Sequence, residues 1–428
     1  MITPPPVTTV AQLRQRERHL LAVLRCLTVL ALILFVPSAL RYHLNFSSYA
    51  PGVLAGCLMV TILGPVGVFG RIPLRVLNPG WLLGLLTLSV IAIHLGLSLF
   101  QFPVDMSRAV FSLAALALMA TAVPIIFYTI FCADDAVLSD TLHIVRVSLL
   151  VMVVLSILNY QPPGPLASER PVWPFTEPSH FALTAMPFFI DAAVRSSRLM
   201  RWAWLGVVAL IVLLLKSLSL SVGLVIMAIC SLGPAELIAF LIAGIVGLQF
   251  IDLSYYTQRL DISYTSTNLS ALVYLQGTEL IQEALEKTHG WGIALQQLGF
   301  APTNVLATEM IRRVGGGEQN LADGSFLAVK FGAEFGILGL AILLIYLVKL
   351  VGVIIDLRLV AGRRALAPVA VTFAFCVYAS FFVELFVRGI GYFSGTFTMA
   401  CASLGVVAVV KFLPRVRNTQ ASTLSHVG

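Results

Sequence analysis

The chain has little charge. Asp, Glu, Lys and Arg make up 11% of its 428 residues, against 59% hydrophobic residues, too little polar surface for a soluble domain of this length. Cysteine is scarce as well. The six, Cys26, Cys57, Cys132, Cys230, Cys376 and Cys401, lie in apolar runs or at their edges with no Cys-x-x-Cys pair, so they are expected to be packing residues, with no disulfide framework or zinc site. No long tandem repeat is present. A convincing acidic metal cluster is also missing from the stretches that carry the outward polar residues. Asp134, Asp135 and Asp140, between Cys132 and Leu142, invite a divalent-cation reading, but a solvated inner loop is the expectation.

What the chain does have is apolar runs of the length that crosses a bilayer, about 20 residues each. They fall at 20–40, 51–70, 80–100, 109–130, 143–158, 181–194, 202–216, 220–232, 236–250, 331–351, 366–386 and 394–412. This is the pattern of an all-α integral membrane protein with about twelve transmembrane helices. Basic residues at Arg14, Arg16, Arg18, Arg71, Arg75, Arg195, Arg198, Arg201, Arg358, Arg363, Arg364, Arg415 and Arg417 fall on one side under that count, which puts both termini inside. The net charge of +7 is thereby assigned to inner flanks facing anionic lipid, and nucleic acid is not an expected partner. The organisation is then a tail at 1–19, a bundle of about nine spans at 20–250, an outer loop at 251–330, three spans within 331–412 and a tail at 413–428.

Two outer loops carry the polar chemistry. The first, 159–180, is stiffened by six prolines, contains Arg170, and ends in Glu177-Pro-Ser-His-Phe-Ala-Leu183 at the mouth of a span. Ionisable groups there are functional when they face a cavity. The second, 251–330, contains Arg259, an amphipathic helix at 271–286 with an acidic stripe of Glu279, Glu283 and Glu286 expected to be solvated, and a shorter helix at 303–314 ending near Gly315. Arg312 and Arg313 lie on the shorter helix. Between two spans, the corner Lys216-Ser-Leu-Ser-Leu-Ser-Val-Gly223 reads either as a cradle for phosphate oxygens or as a turn whose serines satisfy backbone groups. Glu384 and Arg388 lie at the outer end of the eleventh span.

The outward basic residues, which also include Arg41, Arg108, Lys287 and Lys330, are more numerous than membrane topology requires. Guanidinium groups pair two-pronged with phosphate oxygens, so several that converge could hold a pyrophosphate without a metal or other cofactor. Asp323, Glu177, His180, Glu334 and Glu384 stand on the same face as possible bases.

Four segments resemble the bacterial O-antigen polymerase and O-antigen ligase superfamily: Glu177 to Leu183, the Lys216 to Gly223 corner, His289-Gly-Trp-Gly292, and Asp323-Gly-Ser-Phe-Leu327 followed by Phe331-Gly-Ala-Glu-Phe-Gly-Ile-Leu-Gly339. The resemblance covers roughly 140–350. It departs at Asp323, where ligases are expected to have histidine, and in the lack of an arginine often found at the Lys216 corner. It implies an inner-membrane polysaccharide polymerase that moves a glycan from undecaprenyl pyrophosphate to a sugar hydroxyl of another lipid-linked repeat unit, with the loop at 251–330 periplasmic. Under that reading Arg170, Lys216, Arg259, Arg312, Arg313 and Arg388 bind pyrophosphate or glycan, and Asp323, Glu177 and His180 are the candidate bases. A chain-length regulator is a possible partner. The alternatives are an O-antigen ligase acting on lipid A core and a twelve-span transporter or flippase.

Overall fold

The computed structural model describes residues 10–64, 74–160, 162, 172–249, 254, 256–257, 261–299, 303–315 and 326–410. Among them there are only helices and connections, with a single isolated bridge between Val172 and Phe175. The helices are α1 (Val10–Leu30), α2 (Val36–Leu44), α3 (Ala50–Leu63), α4 (Leu74–Ser98), α5 (Met106–Ile126), α6 (Asp135–Ile157), α7 (Pro178–Arg195), α8 (Arg198–Leu215), α9 (Leu218–Ser231) and α10 (Pro234–Leu248). After the large loop's α11 (Leu269–Lys287) and α12 (Leu306–Gly315) come α13 (Leu327–Ala361), α14 (Val369–Phe386) and α15 (Gly395–Val409). A π-helical turn at Ala31–Phe35 joins α1 to α2, so the first apolar run lies within one helical stretch from Val10 to Leu44.

Among the described residues seven helical stretches are long and apolar enough to cross a membrane, and four shorter ones are apolar: Ala50–Leu63, Leu218–Ser231, Pro234–Gly247 and Gly395–Val409. Each of the twelve expected runs contains a helix. Helix ends follow local chemistry. Pro178 and Pro234 stand in first turns, where a missing N–H costs nothing, and Ser217 and Ser394 accept the N–H groups of Leu220 and Phe397. The chain from Val10 to Arg18 is helical, against the expectation of a tail up to residue 19, because it continues the α1 repeat with good helix formers.

The expected inner loop at 132–142 is corrected too. Asp134 stands at the N-cap of α6 without a side-chain cap bond, Asp135 accepts the Val369 N–H at 2.9 Å, and Asp140 meets His19 at 2.9 Å, so the last two lie on a helix and tie neighbours while all three stay exposed.

The centre of the bundle is α7, where every residue from His180 to Val194 is buried. It packs on α8, α9, α13 and α14, and α14 in turn packs on α15. At the periphery α4 exposes Leu82, Leu83, Leu85, Leu86 and Ile93, and α10 exposes Ile238, Leu241, Ile242 and Ile245. Continuous apolar surface of this kind suits lipid and not water. A helix buried all round belongs in a core, as α7 is despite its His180 and Asp191, and an exposed apolar one such as α10 belongs in a bilayer.

One helix is broken. Gly336, at φ 56° and ψ −134°, interrupts α13, and the loop after α11 fills the gap. Ile293 and Ala294 donate their N–H groups to Ala333 and Glu334 carbonyls at 2.9 and 3.0 Å, and Ile337 donates to Gly290 O at 2.9 Å. Two glycines permit this approach. A Cβ on Gly336 would stand 2.0 Å from Gly290 O, and one on Gly292 would stand 2.5 Å from both Glu334 O and Gly336 N. The His289 to Gly292 segment and the Phe331 to Gly339 segment, separate motifs in the sequence, thus form one backbone clasp. Trp291 anchors it sideways, stacked on His94 of α4 at 4.8 Å with Nε1–H donating to Ser98 Oγ at 3.0 Å.

Candidate functional site

Three segments meet at one end of the central helices: the end of α2 with the start of α3, the turn into α7, and the turn after α14. The α7 turn carries Thr176, Glu177 and His180. Pro178 starts the helix at once, so Glu177 is held at the N-cap with its carboxyl outside the first turn, and His180 points into the bundle, buried. From the turn after α14, Arg388 donates to Glu177 Oε2 at 3.0 Å, and Ser179 donates to the same oxygen at 2.9 Å. From the first hairpin, the Tyr49 hydroxyl lies 2.6 Å from His180 Nδ1 and 3.1 Å from Thr176 Oγ1. The Arg41 guanidinium covers the Tyr49 ring at 4.4 Å.

The electrostatics follow from that packing. Burial opposes the ionised Glu177, but the charges of His180 and Arg388, the Ser179 hydroxyl and Arg41 outweigh it and lower its pKa from 4.5 to about 2. Glu177 is therefore a firmly ionised partner for arginine. It is a poor proton acceptor near neutral pH.

Of the expected site residues, Glu177, His180 and Arg388 are brought together. Asp323, Arg170 and Arg259 lie outside the described residues. Lys216 is exposed, in a left-handed conformation at the end of α8, and among the described residues nothing joins it to the group. Beside it Ser217 caps α9 and Ser221 donates back to Ser217 O at 3.1 Å, so these two serines serve the backbone. Arg312 and Arg313 are exposed on the last turn of α12, where Arg313 faces Glu309 at 3.7 Å.

Two carboxylates of the acidic stripe of α11 depart from its expected solvated role, while Glu286 is exposed as expected. Glu279 accepts the Ala307 N–H at 3.0 Å and bonds to Tyr264, while Glu283 accepts from Thr303, the Asn304 N–H and Lys287. Although burial disfavours its charge, these donors hold Glu283 below the ordinary carboxylate range. The two anchor the entry to α12, where carboxylates complement unpaired N–H groups.

Two groupings of residues were not visible in the sequence, although Arg41, Lys330 and Glu334 each stand out in it as outward ionisable residues. Arg41 appeared in the count of outward cations without a role, and Tyr49 carried no signal, because its partner His180 is 131 residues away. The second group is Lys330, Glu334 and Tyr392, all buried, behind the clasp. Leu298 donates its N–H to Glu334 Oε1 at 3.4 Å, and a Cβ on Gly391 would stand 3.3 Å from Lys330 Nζ, so the amine lies under the turn that carries Arg388. Among the described residues no three His, Cys, Asp or Glu side chains gather as a metal site. No family model, curated protein or solved structure matches this chain.

Proposed function

We propose that the chain is a twelve-span membrane glycosyltransferase that uses a polyprenyl-pyrophosphate-linked glycan as donor and the sugar hydroxyl of a second lipid-linked repeat unit as acceptor. The observation that carries this reading is the convergence of Arg41, Arg388, Glu177 and His180 from three distant segments at the mouth of an apolar bundle. Guanidinium groups fixed in such a place stabilise the charge that develops on a departing pyrophosphate.

In the reaction the acceptor oxygen bonds to the anomeric carbon as the bond from that carbon to the pyrophosphate oxygen breaks. The electron pair leaves on the pyrophosphate, and the hydroxyl proton passes to a base. Arg388 and Arg41 hold the leaving group, with Arg170, Arg259, Arg312, Arg313 and Lys216 as further cations on the donor's path. Asp323 is the proposed base, since Glu177 is held ionised by its partners and burial lowers the pKa of His180 to about 3, which leaves both poor proton acceptors near neutral pH. The site faces the periplasm from the inner membrane.

The test is turnover by purified protein in nanodiscs, given a lipid-pyrophosphate-linked repeat unit, with products resolved by size. A ladder of lengthening glycans supports the polymerase. Transfer only when lipid A core is added makes the chain a ligase. One observation favours a second reading, a transporter: the break in α13 beside buried Lys330 and Glu334 resembles the discontinuous helices of transport sites. Against it, the loop at Gly290 to Ala294 already satisfies the backbone at the break. Flux of the lipid-linked unit across vesicles without glycan transfer would favour the transporter.

A further inference from the structure

The charges beside His180 do not balance. Arg41 and Arg388 both act on this point, and Glu177 is the carboxylate that answers them. Arg388 has its ion pair. Arg41 has none among the described residues: its guanidinium rests on the Tyr49 ring, and its buried Nε–H has no acceptor. Arg41 and Glu177 are each only half-buried, so this side of the group is reachable from the mouth. The deeper side is closed by Tyr49, Thr176 and His180, all buried and bonded to one another.

A carboxylate and a phosphate present the same paired oxygens to a guanidinium, and the phosphate carries more charge. We propose that Glu177 is a placeholder. It keeps Arg388 oriented while the site is empty, and a diphosphate anion displaces it, taking Arg388 and Arg41 together. This deepens the pyrophosphate-clamp reading and rests on it. Two consequences separate it from a plain structural ion pair. Neutralising Glu177 should strengthen anion binding, because the ligand no longer displaces or faces a like charge, whereas a structural pair would lose orientation and bind more weakly. Arg41 should matter as much as Arg388, although no protein carboxylate holds it.

The experiment is calorimetric titration of the purified full chain with inorganic pyrophosphate and, in a parallel arm, with geranylgeranyl pyrophosphate. The proteins are the wild type, Glu177→Gln, Glu177→Asp, Arg41→Gln, Arg41→Lys and the exposed control Arg364→Gln, each checked for monodispersity and helix content. Glu177→Gln is expected to bind about fivefold tighter, Arg41→Gln about tenfold weaker with Arg41→Lys in between, and Glu177→Asp and the control like wild type. Tightening in both arms assigns the site to the diphosphate itself; tightening only with the prenyl compound assigns it to a lipid-borne diphosphate, and either supports the placeholder. Unchanged or weaker binding by folded Glu177→Gln in both arms overturns it, as does absence of saturable binding in every protein. Intact diphosphate binding without glycan transfer would instead sink the enzymatic reading and leave this one standing.

Discussion

Glu177 is bonded on two sides, to Arg388 and to Ser179, and that is what fixes its response to acid. Its folded-state pKa is depressed from 4.5 to about 2, so the stability it contributes is complete above pH 4.5 and disappears as pH falls towards 2. Thermal unfolding in detergent should therefore show a constant gap between wild type and Glu177→Gln from pH 8 to pH 5, narrowing below 4.5. A gap that widened on acidification would contradict the ion pair. Arg388→Ala should reduce glycan transfer about 100-fold or more, the scale of losing one preorganised donor to a developing anion. Tyr49→Phe removes one of the two hydroxyls on His180 Nδ1 and should cost about 1 kcal/mol of stability. If transfer by Tyr49→Phe fell only as far as its folded fraction did, His180 would need no orientation.

Among the elements, the clasp between the α11–α12 loop and broken α13 is the most exposed to a single substitution. Gly336→Ala places a side chain at φ 56° against Gly290 O, and Gly292→Ala drives one into the Glu334 carbonyl. Each should destabilise by about 3 kcal/mol or more, since neither close backbone can yield without breaking the hydrogen bonds that bridge the gap. Gly352 and Gly206 provide the contrast. They lie within helices with open space at the Cβ position, and alanine there should be neutral or stabilising by about 0.5–1 kcal/mol. Equal losses at all four positions in melting experiments would show that helix propensity, and not the clasp, governs the region. The clasp also ties the large loop to the Glu177 group. It grips the helix that carries Lys330 and Glu334, and that helix lies under the turn that carries Arg388.

At the scale of the whole molecule the proposal is geometric: twelve crossings, both termini inside, and the Glu177 group on the outer face. In a background without reactive native cysteines, Thr265→Cys should react with an impermeant thiol reagent in intact spheroplasts. Ser197→Cys and Arg364→Cys should react only after permeabilisation. Labelling of Ser197→Cys from outside would break the count up to α7, and failure of Thr265→Cys to label from outside would mean that one of the short helices α8, α9 and α10 beyond Ser197 does not cross.

The sequence alone determined that this is a helical protein for a membrane, since composition and run length are properties of the local chain. The paired helices of the large loop were legible for the same reason, through period and a glycine stop. The structure alone decided which polar residues meet. Tyr49 and His180 find each other across 131 positions, as do Arg388 and Glu177 across 211, and no local pattern encodes a contact at that separation. The tertiary fold likewise turned two of the α11 carboxylates from a solvated stripe into anchors for α12, and two glycine motifs into one clasp. Both outcomes depend on a neighbouring backbone whose unpaired N–H and C=O groups need partners once water is excluded.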